Sequence, residues 1–300
     1  MIIDDVALIN DEMLRRHRMK PDVTAVISGA SRGFGRALAL ALARRFQCMV
    51  KEEALSDHAH RLGLVLMARS AEGLEETEHL ARSIYPGADF FLIVADAGDQ
   101  ASWRQGVEGA VRWSREYVGT SYHEHDSLLF NNHGLIEPLG KVSNLLDYES
   151  VRRHVEVNLS SACWLTSQFC AEWCAPKAHS KGNRTVVNIS SLAAVQETPS
   201  WGLYSSTKAA REMFHRTASA EFPEVFFLNY APGPLDTDMQ AIVRGSEDCD
   251  PSVREMYSSM YNQCKLVEAA DSADLCVRLA ISGEGVRSGL RRADYYDHAS

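Results

Sequence analysis

The stretch Val23-Thr24-Ala25-Val26-Ile27-Ser28-Gly29-Ala30-Ser31-Arg32-Gly33-Phe34-Gly35 passes from a short apolar run into three spaced glycines and then into a helical pattern. A strand that ends in a glycine turn and opens a helix lets backbone approach a pyrophosphate closely and aims the helix N-terminus at its charge. Glycine also serves ordinary tight turns. The position of these glycines, between strand and helix, is therefore what carries the reading.

Working outward, apolar runs alternate with longer helical patterns as far as about residue 230. Strands are expected at Val23 to Ser28, Leu64 to Ala68, Phe90 to Val94, Ser127 to Asn131, Thr185 to Ser190 and Val225 to Tyr230. Each is apolar nearly throughout, as strands covered on both faces should be. Helices are expected at Arg36 to Arg45, Leu74 to Ile84, Ala101 to Tyr117, Tyr148 to Trp173 and Tyr204 to Ala220. This rhythm marks repeated βαβ units. The fold class is therefore α/β: a single domain on a Rossmann-like, doubly wound parallel sheet, which 300 residues suffice to bury. Residues 1–21 form an N-terminal extension to a domain spanning 22–300, and residues 47–61 read as a polar insert, both expected at the surface. Residues 241–285 carry further helical patterns where such sheets place elements that cover a ligand.

The net charge of −9 argues against a broad phosphate-binding surface, so no nucleic-acid partner is expected. No stretch is long and apolar enough to span a bilayer. The first residues lack a charged leader followed by an apolar run, so a cytoplasmic protein without a membrane partner is expected. The seven cysteines form no CxxC and read as reduced thiols. Cys163, Cys170 and Cys174 share a helical face and suit core packing better than metal binding. His123 and His125 stand in a polar stretch that reads as a solvated loop, and no metal site is expected.

The second strand runs into Arg69-Ser70, where a dinucleotide fold that takes NAD presents a carboxylate to the ribose 2′-hydroxyl. The guanidinium of Arg69 suits the extra 2′-phosphate of NADPH instead, and Arg32 is placed to reach the same group. A strand-capping arginine in solvent is the alternative. Further along, Tyr204 and Lys208 stand one helical turn apart on one face. That spacing is common, and Tyr261 with Lys265 repeats it. Only Tyr204 follows an apolar strand ending in Asn188-Ile189-Ser190-Ser191 and precedes one leading to Pro232-Gly233-Pro234. A ketone that accepts hydride develops negative charge on its oxygen, which calls for a nearby acid and hydrogen-bond donors. A tyrosine suits that task, and for the reverse reaction a neighbouring ammonium together with the positive charge of an oxidised nicotinamide would lower the phenol's pKa.

With Gly29, Gly33 and Gly35 in GxxxGxG spacing, Asp96, the segment Asn131-Asn132-His133-Gly134, and the set Asn158, Ser191, Tyr204 and Lys208, the chain resembles the short-chain dehydrogenase/reductase family. The resemblance implies NADPH held by Gly29, Ala30, Ser31, Arg32, Gly33, Phe34, Gly35, Arg69, Ser70, Asp96, Ala97, Asn131 and Lys208. It also implies that Tyr204 donates a proton, Ser191 polarises the carbonyl, Lys208 binds the nicotinamide ribose and Asn158 supports a water-linked proton relay. His133 stands where the family has alanine, a bulkier side chain among otherwise matching asparagines and glycine, and it is not expected to be catalytic.

Beyond this skeleton, residues 183–192 and 228–240 and the ending Asp294-Tyr295-Tyr296-Asp297 resemble animal members of the family that reduce pterins. The likeness runs from about residue 22 to 297. It implies substrate contacts from Ser190, Ser191, Tyr204 and Gly233, and closure of Leu235, Asp236, Thr237, Asp238, Met239 and Gln240 over the nicotinamide and phosphates. It makes Asp294 the pterin anchor, since two carboxylate oxygens match two adjacent N–H donors. From composition alone, Asp294 reads as a surface charge on a polar tail. The implied activity is NADPH-dependent reduction of pterin side-chain ketones, namely sepiapterin and the diketone 6-pyruvoyl-tetrahydropterin, on the route to tetrahydrobiopterin. The implied assembly is a homodimer through the helices that begin near Tyr148 and Tyr204. The alternatives are a general NADPH-dependent carbonyl or diketone reductase and a non-catalytic NADPH-sensing protein.

Overall fold

A computed structural model describes residues 22–52, 60–119, 124–173, 182–282 and 289–298. Among these residues, seven strands form one parallel sheet: β1 (Asp22–Ser28), β2 (Arg61–Ala68), β3 (Asp89–Val94), β4 (His125–Asn131), β5 (Arg184–Ile189), β6 (Phe226–Ala231) and β7 (Gly289–Asp294). Their order is β3-β2-β1-β4-β5-β6-β7. The chain builds outward from β1 in one direction, then returns to its other side with β4, leaving a crevice at the carboxyl ends where the winding reverses.

Alternate residues feed two cores, as strand geometry requires. Ala25, Ile27, Leu64 and Leu66 face one layer, formed by α1 (Gly33–Glu52), α2 (Ala71–Ile84) and α9 (Ala269–Ser282). Val26, Val65 and Met67 face the other, where α3 (Gln100–Gly119) brings Trp103 and Val107, and α5 (Ser161–Trp173) brings Leu165 and Phe169. A third, smaller cluster joins Trp201 and Tyr204, at the start of α6 (Gly202–Glu221), to Val243 and Val253. The last two belong to α7 (Asp238–Gly245) and α8 (Pro251–Asn262), which form the cover beyond β6.

The structure departs from the sequence expectations at particular places. Helix α1 runs on to Glu52, and buried Phe46 and Met49 pack in the core. The start of the expected surface insert is thus interior, while residues 53–59, like residues 1–21, lie outside the described residues. The helix expected over Tyr148 to Trp173 is α4 (Tyr148–Val155), a π-helical turn at Glu156–Ser160, and α5. Helix α9 lies outside the ligand cover expected over 241–285: Leu275, Cys276 and Leu279 join the core with Leu38 and Leu42. The polar ending forms a seventh strand, β7, which among the described residues pairs with β6 alone. Strand β3, at the other edge, leaves Val94 exposed.

His125 overturns the solvated-loop reading. It opens β4, is buried, and its Nε2 lies 2.7 Å from Thr24 Oγ1. His123 and Cys174 lie outside the described residues, while Cys170 is in the core as expected and Cys163 is half-buried. Among the described residues, no group of three His, Cys, Asp or Glu side chains is arranged to hold a metal. No helix there is long and apolar enough to cross a membrane.

Burial pushes the imidazoles of His125 and His215 down to about 3, and that of His133 well below its ordinary value. These side chains stay neutral in the folded protein at pH values where the unfolded chain binds protons. For His125 and His215 the contribution to stability is complete above about pH 6.5 and is lost as pH falls toward 3, at about 1.4 kcal/mol per pH unit for each. Urea midpoints should fall between about pH 7 and pH 5 with proton uptake on unfolding, and His125→Asn should reduce that uptake by about one proton. A midpoint unchanged over this range would contradict the assignment.

Candidate active site

The carboxyl ends of the strands open on a cleft of about 890 Å³. At one end lies the glycine turn, pinned where Gly29 and Ala30 donate from their N–H groups to Met67 O at 2.7 and 3.1 Å. Gly29 and Gly33 adopt φ of +70° and +54°, a region open to glycine at little cost. A Cβ on Gly35 would fall 2.1 Å from Gly29 O. The first helical turn thus requires glycine for its close approach to the preceding loop.

Gly29, Ser31, Arg32, Gly33 and Phe34 line this end of the cleft, together with Arg69, Ser70, Asp96 and Ala97. Ala30 and Asn131 are buried behind it. The Asn131 amide donates to Ala162 O and Thr166 Oγ1, holding α5 against the end of β4. Ser70 caps α2 by accepting from Gly73 N at 3.0 Å. Asp96 accepts from Gly98 N at 2.8 Å and lies 3.5 Å from Arg153. Arg69 stands exposed at the rim of the cleft. Arg32, expected to share its role, instead pairs with Asp238 at 2.5 Å, with both side chains about two-thirds exposed. An exposed pair of this kind is worth no more than about 1 kcal/mol, so a phosphate entering the cleft can exchange for it.

At the other end, Ser190, Ser191, Tyr204, Lys208, Gly233 and Asp294 converge on the same cleft. Tyr204 and Lys208 project from one face of α6, with the Lys208 ammonium 5.5 Å from the Tyr204 ring centre. Lys208 Nζ donates to Ile189 O at 2.6 Å. Burial holds the Lys208 pKa well below the usual lysine range, and the charge of Arg211 adds to that effect. Burial raises the Tyr204 phenol, against the pull of a hydrogen bond with Ser191 and the charge of Arg211. From the protein's own groups, removal from water outweighs the charge of Arg211, so the Tyr204 phenol stands above its ordinary value; the expected lowering rests on the oxidised nicotinamide as well as on Lys208. Ser190 lines the cleft, but its hydroxyl donates to Glu212.

Asn158 is fully buried in the π turn, and its side chain closes a two-bond pair with Leu135, donating to O and accepting from N at 2.7 Å each. Its amide also meets His154 Nε2 at 2.8 Å. His154 Nδ1 lies 2.6 Å from Glu137 O, which can only accept, so Nδ1 carries the proton and Nε2 receives the amide. Asn158 is therefore placed as a buried tie behind the cleft. Leu235, Thr237, Asp238, Met239 and Gln240 roof the cleft, whereas Asp236 points toward Arg244, 4.0 Å away. Tyr261 and Lys265 stand apart from the site: helix α8 ends between them, and Tyr261 packs under the Arg244 guanidinium.

The model of the short chain dehydrogenase family matches residues 23–248. The chain belongs to that family. It is 37% identical over 274 residues to the sepiapterin reductase of Meriones unguiculatus, covering 91% of this chain and 96% of that one. It is 34% identical over 277 residues to the sepiapterin reductase of Xenopus tropicalis, covering 92% and 97%. Among solved structures, an alcohol dehydrogenase from the archaeon Thermococcus sibiricus, complexed with 5-hydroxy-NADP, superposes with a TM-score of 0.64 at 25% identity, covering 91% of this chain and 96% of that one.

The residues of this short-chain dehydrogenase fit a dinucleotide phosphate. The glycine turn is a cradle that side chains would fill, and a guanidinium rather than a carboxylate follows β2. In the roof, Gln240 is buried with neither its amide nitrogen nor its oxygen partnered among the described residues. One buried amide with its donor and its acceptor both unsatisfied in a cleft wall suits a ligand that offers both a donor and an acceptor, as a carboxamide does.

His133 lines this dehydrogenase's cleft, with both ring nitrogens engaged by side chains of the protein. Its Nδ1 and Nε2 lie 2.7 and 2.8 Å from the hydroxyls of Ser28 and Ser161, and its ring packs on Trp103 with centres 4.7 Å apart. The imidazole thus bridges β1 to α5. Sequence reading also missed the cation beneath the site. Arg211 is fully buried, donating to Asn188 Oδ1 at 2.8 Å, His133 O at 3.2 Å and Asn131 O. Its only linear signal is the spacing Tyr204, Lys208, Arg211, which makes one stripe on α6. Arg211→Leu strands three buried acceptors and should cost at least about 3 kcal/mol of stability by urea unfolding. A cost under about 1 kcal/mol would show that these bonds do not hold the site.

Proposed function

We propose that this short-chain dehydrogenase reduces the side-chain ketones of pterins with NADPH, sepiapterin and 6-pyruvoyl-tetrahydropterin being the substrates, and so serves tetrahydrobiopterin synthesis. The observation that carries the reading is the meeting of Ser191 and Tyr204 in one cleft with Asp294, which lies 90 positions beyond Tyr204 in sequence. Asp294 is half-exposed and accepts from Tyr296 N at 3.2 Å through Oδ1. It remains available to the adjacent amino and ring N–H donors of a pterin. The sepiapterin reductases named above match the chain over nine-tenths of its length, in support of this substrate class.

NADPH supplies the hydride when bound. In this reading, Gly29, Ala30, Ser31, Gly33, Phe34 and Gly35 shape the phosphate cradle, and Arg69 binds the 2′-phosphate, with Arg32 joining it on release from Asp238. Asp96, Ala97, Ser70 and Asn131 shape the adenosine side. Leu235, Asp236, Thr237, Asp238, Met239 and Gln240 form the closing segment, and Lys208 faces the nicotinamide ribose. The Ser191 hydroxyl and the Tyr204 phenol both donate to the ketone oxygen, and Tyr204 gives up its proton as negative charge develops there. Asn158 supports the relay that reprotonates it. Ser190 and Gly233 bound the substrate.

We further propose one catalytic domain over residues 22–300, with residues 1–21 an extension, acting in the cytoplasm as a homodimer. Exposed Leu146, Tyr148 and Met213, at the start of α4 and on α6, support pairing through these helices. Light scattering should give twice the chain mass, and the mass of one chain would contradict the pairing.

The test is NADPH oxidation by the purified protein with sepiapterin and, in parallel, a simple diketone. Turnover should be rapid with NADPH and slow with NADH, and Tyr204→Phe should lower kcat by at least about 100-fold while NADPH still binds. Asp294→Ala should raise KM for sepiapterin about tenfold or more and spare the diketone, through loss of a charge-assisted pair. Equal effects of Asp294→Ala on both substrates would favour a general carbonyl reductase. Binding of NADPH without turnover of any ketone would favour a sensing role.

A further inference from the structure

Arg292 and Asp294 stand two residues apart on β7, so their side chains leave the same face of the strand. Arg292 Nε donates to Glu212 Oε1 at 3.2 Å, and its Nη2 donates to the carbonyl oxygen of Ser191 at 3.3 Å. Glu212 lies one turn beyond Lys208 on α6, with 9% of its side chain exposed, and it also receives the Ser190 hydroxyl. One planar guanidinium thus joins the strand that carries Asp294 to the helix that carries Tyr204 and to the loop that carries Ser191. Among the described residues β7 is an edge strand whose ladder runs to β6, so the guanidinium adds a second tie to the strand. The serine loop is held independently, by Ser190 N to Tyr230 O at 2.7 Å and Ala194 N to Ser191 O at 3.1 Å.

We propose that Arg292 and Glu212 form a positioning pair that fixes the distance from the Asp294 carboxylate to the Ser191 and Tyr204 hydroxyls. The pair would favour a rigid substrate held at both ends over a small ketone held only at its carbonyl. The inference rests on the pterin reading above. A two-point substrate transmits any shift of Asp294 to the reacting carbon, and a misplacement of about 1 Å can cost up to about 100-fold in rate. A one-point substrate does not feel that shift. Lysine cannot replace the fork, since its point charge reaches one of the two acceptors at a time.

The experiment compares wild type, Arg292→Lys and the double variant Arg292→Met/Glu212→Gln, which avoids stranding a buried carboxylate. Each is assayed with NADPH, using sepiapterin and butane-2,3-dione as alternative substrates. The kcat for sepiapterin should fall about tenfold in the double variant and about threefold in Arg292→Lys. KM for NADPH and kcat for the diketone should stay within about twofold of wild type. Parallel losses on both substrates would reduce the pair to general support of Ser191 and overturn the proposal. An unchanged sepiapterin rate, or a rise in KM alone, would overturn it as well. Wild type idle on sepiapterin yet active on the diketone would overturn the pterin reading itself, and this inference with it.

Discussion

The enclosed guanidinium of Arg211 is the constraint on which the rest of the site depends. A cation removed from water is tolerated only when its donors are satisfied, and here the acceptors are a side chain of β5 and two carbonyls at the end of β4. Satisfying them fixes how α6 sits across the sheet. Tyr204 and Lys208 occupy the same stripe of that helix, so the depth at which they enter the cleft is set from below. The charge of Arg211 also acts on both groups, depressing the lysine and opposing the rise of the phenol.

Around this fixed point, the two ends of the cleft differ in character. At the glycine turn, the charged side chains Arg32, Arg69 and Asp238 remain open to solvent, where anions can be met without a desolvation cost. Around Tyr204 the walls are apolar. Trp201 stacks on Tyr257 at an interplanar angle of 9° and meets Tyr204 edge-on, and Val243 and Val253 close the cluster. A phenol kept dry holds its proton until negative charge appears beside it, and donors in a dry site act more strongly on that charge. Burial thus holds the Tyr204 phenol protonated and would strengthen its donation in the proposed reduction.

What could be read from the sequence follows from where each element lies. Strands β1, β2, β4, β5 and β6 are covered on both faces, so they announce themselves as continuous apolar runs. Strand β7 is an edge, its described side chains are two arginines, an alanine and an aspartate, and it looks like a tail. The YxxxK pair and the glycine turn are local patterns and were legible because their chemistry needs a fixed spacing along one helix or one turn. Arg211, Glu212 and Arg292 were not, because a charged residue reads as surface unless its partners are known, and those partners lie up to 101 positions away. The π turn at Asn158 was equally hidden. Asn158 pairs there with Leu135, 23 positions earlier, a contact that no local pattern announces.

The most direct test of the central claim follows the hydride itself. Sepiapterin is incubated with the enzyme and NADPH deuterated at nicotinamide C4, and the product is read by mass spectrometry and proton NMR. The account predicts one deuterium on the side-chain carbinol carbon and none on the ring. Deuterium on the ring, or none in the product, would contradict it.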